Sequence, residues 1–407
     1  MAILYNFVFF YPLFMAFLWM FGSIIFHIFR EGNKEDSPLP STPVVSILVP
    51  CHNEESCIEE TIEFLTGQDY PNFEIIAIDD GSTDNTLDIL RRLQQEYDYL
   101  RIVSLKSNRG KGTALTMGAL ASRGEYLVCI DADALLDPHA VRHYMWHFLN
   151  FPRVGAITGN PRVRNRTSIL GKIQVGEFSS LVNMIKRTQR ILGKIYTVSG
   201  VVSAFRKRAL FSVGFWSTNM VTEDVDISWK LQLNFWDIRY EPRALCWILM
   251  PESLRGLFRQ RIRWAQGGNE VLFKYFRTLL NWKQRRIWPV YLEAMAGVAW
   301  SYTFLLTVVL WTLHFFVDLP SPLVVQAIFP PQWTGTILAM VCLVQFTVGL
   351  ALESRYEKHA FRLFFWLIWY PFLYWAISAT SSVCGFPKAI FKKKTALAVW
   401  ESPDRGL

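Results

Sequence analysis

The stretch Tyr126-Leu127-Val128-Cys129-Ile130-Asp131-Ala132-Asp133 decides the fold class of this chain. Five apolar residues are followed at once by two carboxylates, two positions apart. A short apolar run bounded by polar residues is typical of a strand buried in a parallel sheet. Side chains that follow such strands gather at the carboxyl edge of the sheet, where α/β folds bind their ligands. The stretch therefore predicts a buried strand that ends at a ligand site.

The surrounding sequence predicts an α/β domain. From Val44 to about Arg243, short β-branched runs alternate with helical stretches, which indicates a βαβ sheet. The predicted strands are Val45 to Val49, Glu74 to Ile78, Arg101 to Leu105, Tyr126 to Ile130 and Val154 to Thr158.

Apolar segments flank this domain. Ile3 to Phe29 exceeds the roughly 20 residues that span a bilayer, and the basic residues Arg30 and Lys34 after it predict a cytoplasmic end. Ala294 to Val317, Thr334 to Leu352 and Leu363 to Val383 are predicted as further membrane segments. The resulting division is an N-terminal transmembrane helix at 1–30, a cytoplasmic α/β domain at 44–252, interfacial amphipathic helices at 253–285, a transmembrane region at 286–387 and a basic tail at 388–407.

The number of membrane crossings stays open at this point. Four crossings would carry Lys388 and the basic run 392–394 outside, against the positive-inside tendency. Pro371 interrupts the last apolar segment, so a broken or re-entrant helix that returns the terminus is the alternative.

The composition of the chain indicates what kind of partner it binds. The chain of 407 residues is 51% hydrophobic, and its 42 basic residues exceed its 34 acidic ones. The basic residues cluster beside apolar segments, at 255–286 and 388–394, which favours a membrane surface and a phosphorylated substrate over nucleic acid. The six cysteines lack metal-ligand spacing and are predicted to be reduced thiols.

Two acidic motifs follow predicted strands. Asp79-Asp80-Gly81-Ser82 suits hydrogen bonding to a nucleotide base or ribose, although a loop with a helix N-cap is an equal alternative. Asp131 and Asp133 can hold one divalent ion that bridges a diphosphate. The alternative for this pair is a solvated acidic loop.

Two further motifs carry chemistry. Thr222-Glu223-Asp224 offers a general base for an acceptor hydroxyl, or acids that stabilise a helix N-terminus. In the segment 260–264, Arg263 offers a planar fork to phosphate, Gln260 shares its helical face, and Trp264 offers a flat surface to a sugar ring. In isolation this segment is equally an amphipathic basic helix.

Taken in order, DDG, DxD, TED and QxxRW between membrane segments resemble the motifs of processive family-2 glycosyltransferases, the group of cellulose, chitin and hyaluronan synthases. Within that group the chain closely resembles bacterial poly-β-1,6-N-acetylglucosamine synthases, the biofilm polysaccharide enzymes. The stretches that carry this resemblance include 50–54, 108–111, 158–162, 229–231, 246–247 and 402–406.

The resemblance implies a GT-A (Rossmann-like) glycosyltransferase domain that uses UDP-N-acetylglucosamine and inverts the anomeric centre. Asp224, beside Glu223, would be the base, and Mg²⁺ or Mn²⁺ would be held by Asp131 and Asp133. Trp264 would stack under the acceptor end of the polymer. The implied donor-binding residues are Pro50, Asn53, Glu54, Asp80, Lys111, Asp131, Gln260 and Arg263.

The resemblance also implies partners and a location. These are the growing polysaccharide, membrane lipids and a small membrane accessory subunit, in a bacterial inner cell membrane with the catalytic domain cytoplasmic. A single predicted helix precedes the domain, as in the staphylococcal form. Regulation by cyclic di-GMP, which the Gram-negative members use, is left open.

Three other functions compete with this one. Another β-polysaccharide synthase, of the chitin, hyaluronan or cellulose type, would carry the same motifs. A transferase that adds one sugar to a polyprenyl phosphate would have no need of the QxxRW platform. A non-catalytic membrane scaffold would have no need of buried carboxylates, which are costly without a partner.

Overall fold

The computed structural model describes residues 2–31, 38–325, 333–393 and 397–399. Its helices are α1 (Ala2–Phe26), α2 (Ile58–Thr66), α3 (Thr86–Glu96), α4 (Lys111–Ala121), α5 (Ala140–Asn150), α6 (Ile169–Glu177), α7 (Asn183–Leu192), α8 (Lys207–Val213), α9 (Glu223–Leu233), α10 (Leu254–Leu279), α11 (Trp288–Leu313), α12 (Trp333–Glu353), α13 (Phe364–Leu367) and α14 (Tyr370–Phe391). Its strands are β1 (Val45–Cys51), β2 (Phe73–Asp79), β3 (Leu100–Ser104), β4 (Tyr126–Ile130), β5 (Leu135–Leu136), β6 (Val154–Val163), β7 (Val202–Arg206) and β8 (Asp237–Ile248).

The strands form one sheet in the order β3-β2-β1-β4-β7-β6-β8-β5. Strands β1 to β4 are parallel, so the ends of β1, β2 and β4 lie at one edge. All five predicted strands are confirmed. Strand β7 was not predicted, and it runs antiparallel between β4 and β6. The predicted α/β fold class is thus correct, with a mixed sheet in place of a purely parallel one.

The sheet is buried on both faces. Along β1, Ile47 and Val49 pack into one apolar core and Leu48 into the other, and all three are fully buried. This alternation explains why the strands are apolar throughout, since neither face meets water. Each such side chain contributes about 1.5–3 kcal/mol through burial. Helices α2, α3 and α5 cover one face, whereas α4, α8 and α9 cover the other.

Three helices in the described part of the chain are long and apolar enough to cross a membrane. They lie within Ile3–Glu31, Trp282–Leu313 and Gly335–Glu353. The fourth predicted segment is divided instead. A short helix ends at Leu367, and α14 begins at Tyr370 with Pro371 in its first turn.

Helix α14 packs along α10 and ends beside the α/β domain. Phe386 of α14 meets Phe273 of α10 with ring centroids 5.3 Å apart. Beyond the helix, the Lys392 ammonium donates to the Asn219 carbonyl at 2.6 Å and pairs with Glu270 at 2.9 Å. Lys392 therefore lies on the side of the α/β domain, which removes the conflict with the positive-inside tendency.

Buried ion pairs join the membrane helices to the domain. Arg187 of α7 pairs with Glu31, just after α1, and with Glu353 at the end of α12. Arg162 of β6 also pairs with Glu353. All four side chains are almost fully buried. The ends of α1 and α12 are thus fixed to one side of the domain.

Candidate active site

The turn after β1 is fastened to the turn after β2. Asn53 has a positive φ of 56°, and its amide donates to Ser82 Oγ at 3.0 Å. Its side-chain oxygen accepts from the Thr83 amide at 2.8 Å. The buried Glu54 donates from its amide to Thr86 Oγ1 at 2.7 Å. Pro50 lies within β1, opposite Ile78. These contacts fix the position of the residues that are predicted to bind the nucleotide.

Asp80 holds the loop that leads into α4. Its two carboxylate oxygens accept from the amides of Arg109, at 2.8 Å, and Gly110, at 2.7 Å. Burial raises the pKa of Asp80, against the lowering effect of these two amides. Gly110 has a φ of +87°, and a Cβ there would lie 2.0 Å from the Ala398 carbonyl oxygen. Asp80 therefore positions Lys111, the first residue of α4.

Lys111 brings two of the acidic motifs together. Its ammonium donates to an Asp131 carboxylate oxygen and lies 3.5 Å from Glu223 Oε1. It also donates to the Gly200 carbonyl at 3.0 Å. Although burial opposes its charge, the Asp131 and Glu223 carboxylates raise the pKa of Lys111 above its ordinary value. The amine is therefore a fixed positive charge between the DxD and TED motifs.

Asp224, in the first turn of α9, contacts the same residue, Gly200, whose carbonyl accepts from Lys111. Its Oδ2 accepts from the Gly200 amide at 3.1 Å, and its Oδ1 from the Val225 amide at 2.9 Å. Burial, reinforced by the Glu223 carboxylate, raises the pKa of Asp224 to about 6, although Lys111 and Arg263 act in the opposite direction. A carboxylate with this pKa is ionised at neutral pH and basic enough to accept a proton.

Lys186 is a second buried amine near Asp224. Its ammonium donates to Thr158 Oγ1 at 3.0 Å and to the Gly159 carbonyl at 3.3 Å. Burial lowers the pKa of Lys186 to about 7, and Asp224 only partly offsets this effect. The sequence analysis did not single out this lysine, because its place in an ordinary amphipathic helix gives no signal.

The QxxRW segment lies on α10. Arg263 is exposed and close enough to Asp224 to lower its pKa. Gln260 carries a buried side-chain oxygen without a hydrogen-bond partner among the described residues. Trp264 is partly buried against Phe178, with ring centroids 6.4 Å apart. The intervening Arg261 pairs with Glu177 at 2.6 Å, and its guanidinium lies over the Trp264 ring, 4.5 Å from the ring centroid.

A cavity of about 370 Å³ leads from this segment to the membrane helices. Trp264 and Tyr196 line it together with Ser301 of α11 and Ser382 of α14. Glu293 also lines the cavity, where its carboxylate accepts from Trp19 Nε1 and Gln189 Nε2, each at 3.1 Å. The cavity is thus continuous from the α/β domain to the apolar helices.

Known proteins match nearly the whole chain. A poly-β-1,6-N-acetyl-D-glucosamine synthase of Staphylococcus epidermidis is 41% identical over 413 residues, which cover 99% of this chain and 98% of that protein. The chain belongs to the poly-β-1,6-N-acetyl-D-glucosamine synthase family. A Staphylococcus aureus synthase of this family is 40% identical over 407 residues, with 99% and 98% of the two chains covered. The profile of glycosyl transferase family 2 matches residues 46–213, so the protein is a glycosyltransferase.

A solved structure shares the fold of this synthase family member. A mannosyltransferase from Pyrobaculum calidifontis, in complex with GDP-mannose and Mn²⁺, superposes with a TM-score of 0.63. The match covers 96% of both chains at 20% sequence identity. It therefore supports the arrangement of the α/β domain and its helices.

The structure brings five of the twelve predicted site residues of this family member to one region. Lys111, Asp131 and Glu223 are in direct contact, Asp224 joins them through Gly200, and Arg263 lies near Asp224. Asp133 is buried beyond β4 and, with Asp131, raises the pKa of the Cys246 thiol, after burial itself. Asp80 is turned toward the backbone of the 109–110 loop. Gly200 was missed, because no residue pattern marks the loop that it occupies.

Proposed function

We propose that the protein is a membrane-embedded, inverting glycosyltransferase that polymerises N-acetylglucosamine from UDP-N-acetylglucosamine into a β-1,6-linked chain. The observation that carries the proposal is the Lys111 contact with Asp131 and Glu223, beside Asp224. A fixed cation between acidic motifs suits a diphosphate leaving group and its metal. The whole-length identity to poly-β-1,6-N-acetyl-D-glucosamine synthases supports the choice of sugar and linkage.

The carboxylate oxygens that follow β4 are suitable ligands for a divalent metal ion. Asp131 and Asp133 supply the hard carboxylate oxygens that Mg²⁺ and Mn²⁺ prefer. Among the described residues, no group of three or more His, Cys, Asp or Glu side chains gathers as a ready-made metal site. A site with only two carboxylates is compatible with Mg²⁺, which is commonly bound by one or two carboxylates together with substrate phosphates. When bound, the ion would neutralise charge on the departing diphosphate.

The other residues have distinct roles in the transfer. Asp224 accepts the proton of the acceptor hydroxyl as its oxygen attacks the anomeric carbon, and Glu223 beside it keeps the Asp224 pKa high. The bond from that carbon to the diphosphate breaks in the same step, and UDP leaves with the electron pair. Lys111 and Arg263 stabilise the negative charge of the leaving group. Gln260 completes the contact to the diphosphate.

Donor recognition falls to the turns at the sheet edge. Pro50, Asn53 and Glu54 shape the pocket for the uracil and ribose, and Asp80 acts through the loop that it holds. The mutual hydrogen bonds of these turns fix the pocket before the donor arrives, which lowers the entropic cost of binding.

The growing polymer leaves through the cavity that begins at Trp264. Trp264 supports the acceptor sugar, and the serines and Glu293 offer polar contacts to a carbohydrate along an otherwise apolar path. The α/β domain and the basic end of α14 lie on the cytoplasmic side of the bacterial inner membrane, in agreement with the positive-inside tendency. A small membrane accessory subunit remains a prediction from the resemblance, and regulation by cyclic di-GMP stays open.

A labelling experiment tests this function. Membranes that contain the protein are incubated with radiolabelled UDP-N-acetylglucosamine and Mg²⁺ or Mn²⁺, and the product is sized. We expect a polymer that is degraded by a hydrolase specific for β-1,6-linked glucosamine. A lipid-linked monosaccharide would indicate a polyprenyl-phosphate transferase instead, and a polymer that resists the hydrolase would indicate another polysaccharide synthase.

The variant Asp224→Asn separates catalysis from binding in the same assay. We expect turnover to fall by about 10²–10⁴-fold, the usual contribution of a general base. Binding of UDP, measured by calorimetry, should stay within a few-fold of the parent protein. Full activity of this variant would remove Asp224 as the base.

A further inference from the structure

A second cavity, of about 290 Å³, lies where α1 and α12 meet the α/β domain. It shares no lining residue with the cavity at Trp264. Its walls come from the end of α1, from α5, α7 and β8, and from the residues just after α12. Five arginines line it, namely Arg30, Arg190, Arg239, Arg243 and Arg355.

The two carboxylates that line this arginine-lined cavity already have basic partners. Glu31 accepts from Nε of the buried Arg187 at 2.5 Å. Glu241 accepts from Arg243 at 2.9 Å and pairs with His147 at 2.9 Å. Burial lowers the pKa of His147, so this ring adds no charge at neutral pH. The cavity therefore carries a net positive charge.

Arg239 is one of the partly buried arginines of this cavity. Its Nε is buried without a hydrogen-bond acceptor among the described residues, and the nearest carboxylate, Asp237, is 3.9 Å away. Asp237 is also shared with Arg190, at 3.2 Å. Burial and the neighbouring Arg190 lower the pKa of Arg239 to about 10. The Nη1 atom of Arg239 lies 3.4 Å from His147 Nδ1, and its guanidinium lies over the Phe151 ring, 3.4 Å from the ring centroid. An anion in the cavity would give the buried Nε the acceptor that the described residues do not supply.

Two exposed arginines form the mouth of the cavity. Arg30 follows α1 and, of the residues that the structure describes, has no carboxylate within ion-pair distance. Arg355 follows α12 and donates to the Glu31 carbonyl at 3.3 Å. Both lie at the ends of membrane-spanning candidates, and therefore at the level of the lipid headgroups. Tyr356 and Trp146 add the aromatic surface typical of that level.

We propose that this cavity binds a phosphate group, supplied by the headgroup of an anionic phospholipid and held by Arg30, Arg239 and Arg355. The planar guanidinium groups match phosphate oxygens in pairs, which an ammonium group does not. The position at the membrane surface selects a lipid over a free phosphate as the source. The bound lipid joins the ends of α1 and α12 to strand β8 of the domain.

The test is a binding experiment that requires no turnover. The full-length protein in detergent is titrated with phosphatidylglycerol or phosphatidylcholine, and bound lipid is counted by native mass spectrometry. We expect retention of phosphatidylglycerol and little phosphatidylcholine. In the double variant Arg30→Gln/Arg355→Gln, phosphatidylglycerol binding should weaken by about tenfold or more, since each surface arginine adds about 1 kcal/mol. The variant Arg239→Lys should weaken binding although it keeps the charge.

Controls separate a site from general attraction. Arg277 and Arg285 are exposed and lie near the start of the α11 span, outside the cavity. The matched double variant Arg277→Gln/Arg285→Gln should bind the lipid like the parent. Equal losses in the two double variants, or equal retention of both lipids, would overturn the proposal. Displacement of phosphatidylglycerol by inorganic phosphate would support the phosphate site and identify a soluble phosphate as its ligand.

Discussion

The Gly200 amide donates a hydrogen bond of 3.1 Å to Asp224 Oδ2, while the Gly200 carbonyl accepts one of 3.0 Å from Lys111. Gly200 thus sets the distance between Asp224, the proposed base, and the Lys111 ammonium group. A Cβ added at Gly200 would lie 2.9 Å from Asp224 Oδ2 and 3.3 Å from its Cγ. The loop at this point has room for glycine alone unless Asp224 moves.

This relationship predicts the effect of Gly200→Ala. The added methyl group should displace the Asp224 carboxylate, so transfer should slow by roughly 10²-fold, the cost of a displacement of about 1 Å at a reacting group. UDP binding should change little. The control is Gly67→Ala, where the new Cβ meets its nearest atom at an ordinary 3.5 Å. Initial rates of the two variants are compared, and equal rates would contradict the assigned role of the loop.

The pH dependence of the rate follows from the raised pKa of Asp224. Burial and Glu223 bring this pKa to about 6, against Lys111 and Arg263. The base acts only when ionised, so the rate at saturating substrate should fall about tenfold per pH unit below pH 6 and level off above it. Thermal unfolding at each pH value controls for loss of the fold. A rate that does not change between pH 5 and 7 would exclude Asp224 as the titrating base.

Trp264 should determine product length. Its ring stands at the start of the cavity that leads to the membrane helices. The variant Trp264→Ala removes a platform worth about 1–3 kcal/mol by analogy with aromatic stacking of ring systems, so shorter products are expected. Gel sizing of labelled product measures this. Trp282→Ala, at an exposed position on the basic segment, is the matched control and should leave product length unchanged.

The buried ion pairs predict a stability effect that is separate from catalysis. Glu353→Gln removes the carboxylate shared by Arg162 and Arg187, both almost fully buried. Breaking such a group should lower the free energy of unfolding by about 3–5 kcal/mol, because the arginines stay buried without compensation. Denaturant unfolding in detergent measures the loss. Asp88→Asn, in an exposed pair with Arg91, should cost about 0–1 kcal/mol. Similar losses of unfolding free energy in the two variants would contradict the conclusion that the buried ion pairs stabilise the fold more than the exposed pair does.

The parallel strands were predictable from sequence because their signal is local. β4 is a continuous apolar run, β1 and β2 are mostly apolar, and each strand is followed by polar site residues such as Asp80 and Asp131. Strand β7 was not predictable in the same way, since Val202–Arg206 gains its place from pairing with β4, about 75 residues earlier in the chain. The site motifs were found for the same local reason, as acidic residues at strand ends.

The contacts between motifs were beyond the reach of sequence patterns. Lys111 was named as a donor-binding residue from the family resemblance, but its bridge from Asp131 to Glu223 depends on the fold. Lys186 and Gly200 lie in segments of ordinary composition. The division of the last apolar segment at Pro371 was visible in sequence, whereas its packing along α10 was not.

The most direct test is a structure of the protein with UDP and Mn²⁺, in which anomalous scattering locates the metal. The account predicts one manganese peak within about 2.0–2.3 Å of carboxylate oxygens of Asp131 or Asp133, with the diphosphate between Lys111 and Arg263. The Asp224 carboxylate should lie on the side of the diphosphate that faces Trp264. A peak elsewhere, or a nucleotide bound away from Lys111, would contradict the proposal that the acidic motifs and the QxxRW segment form one active site.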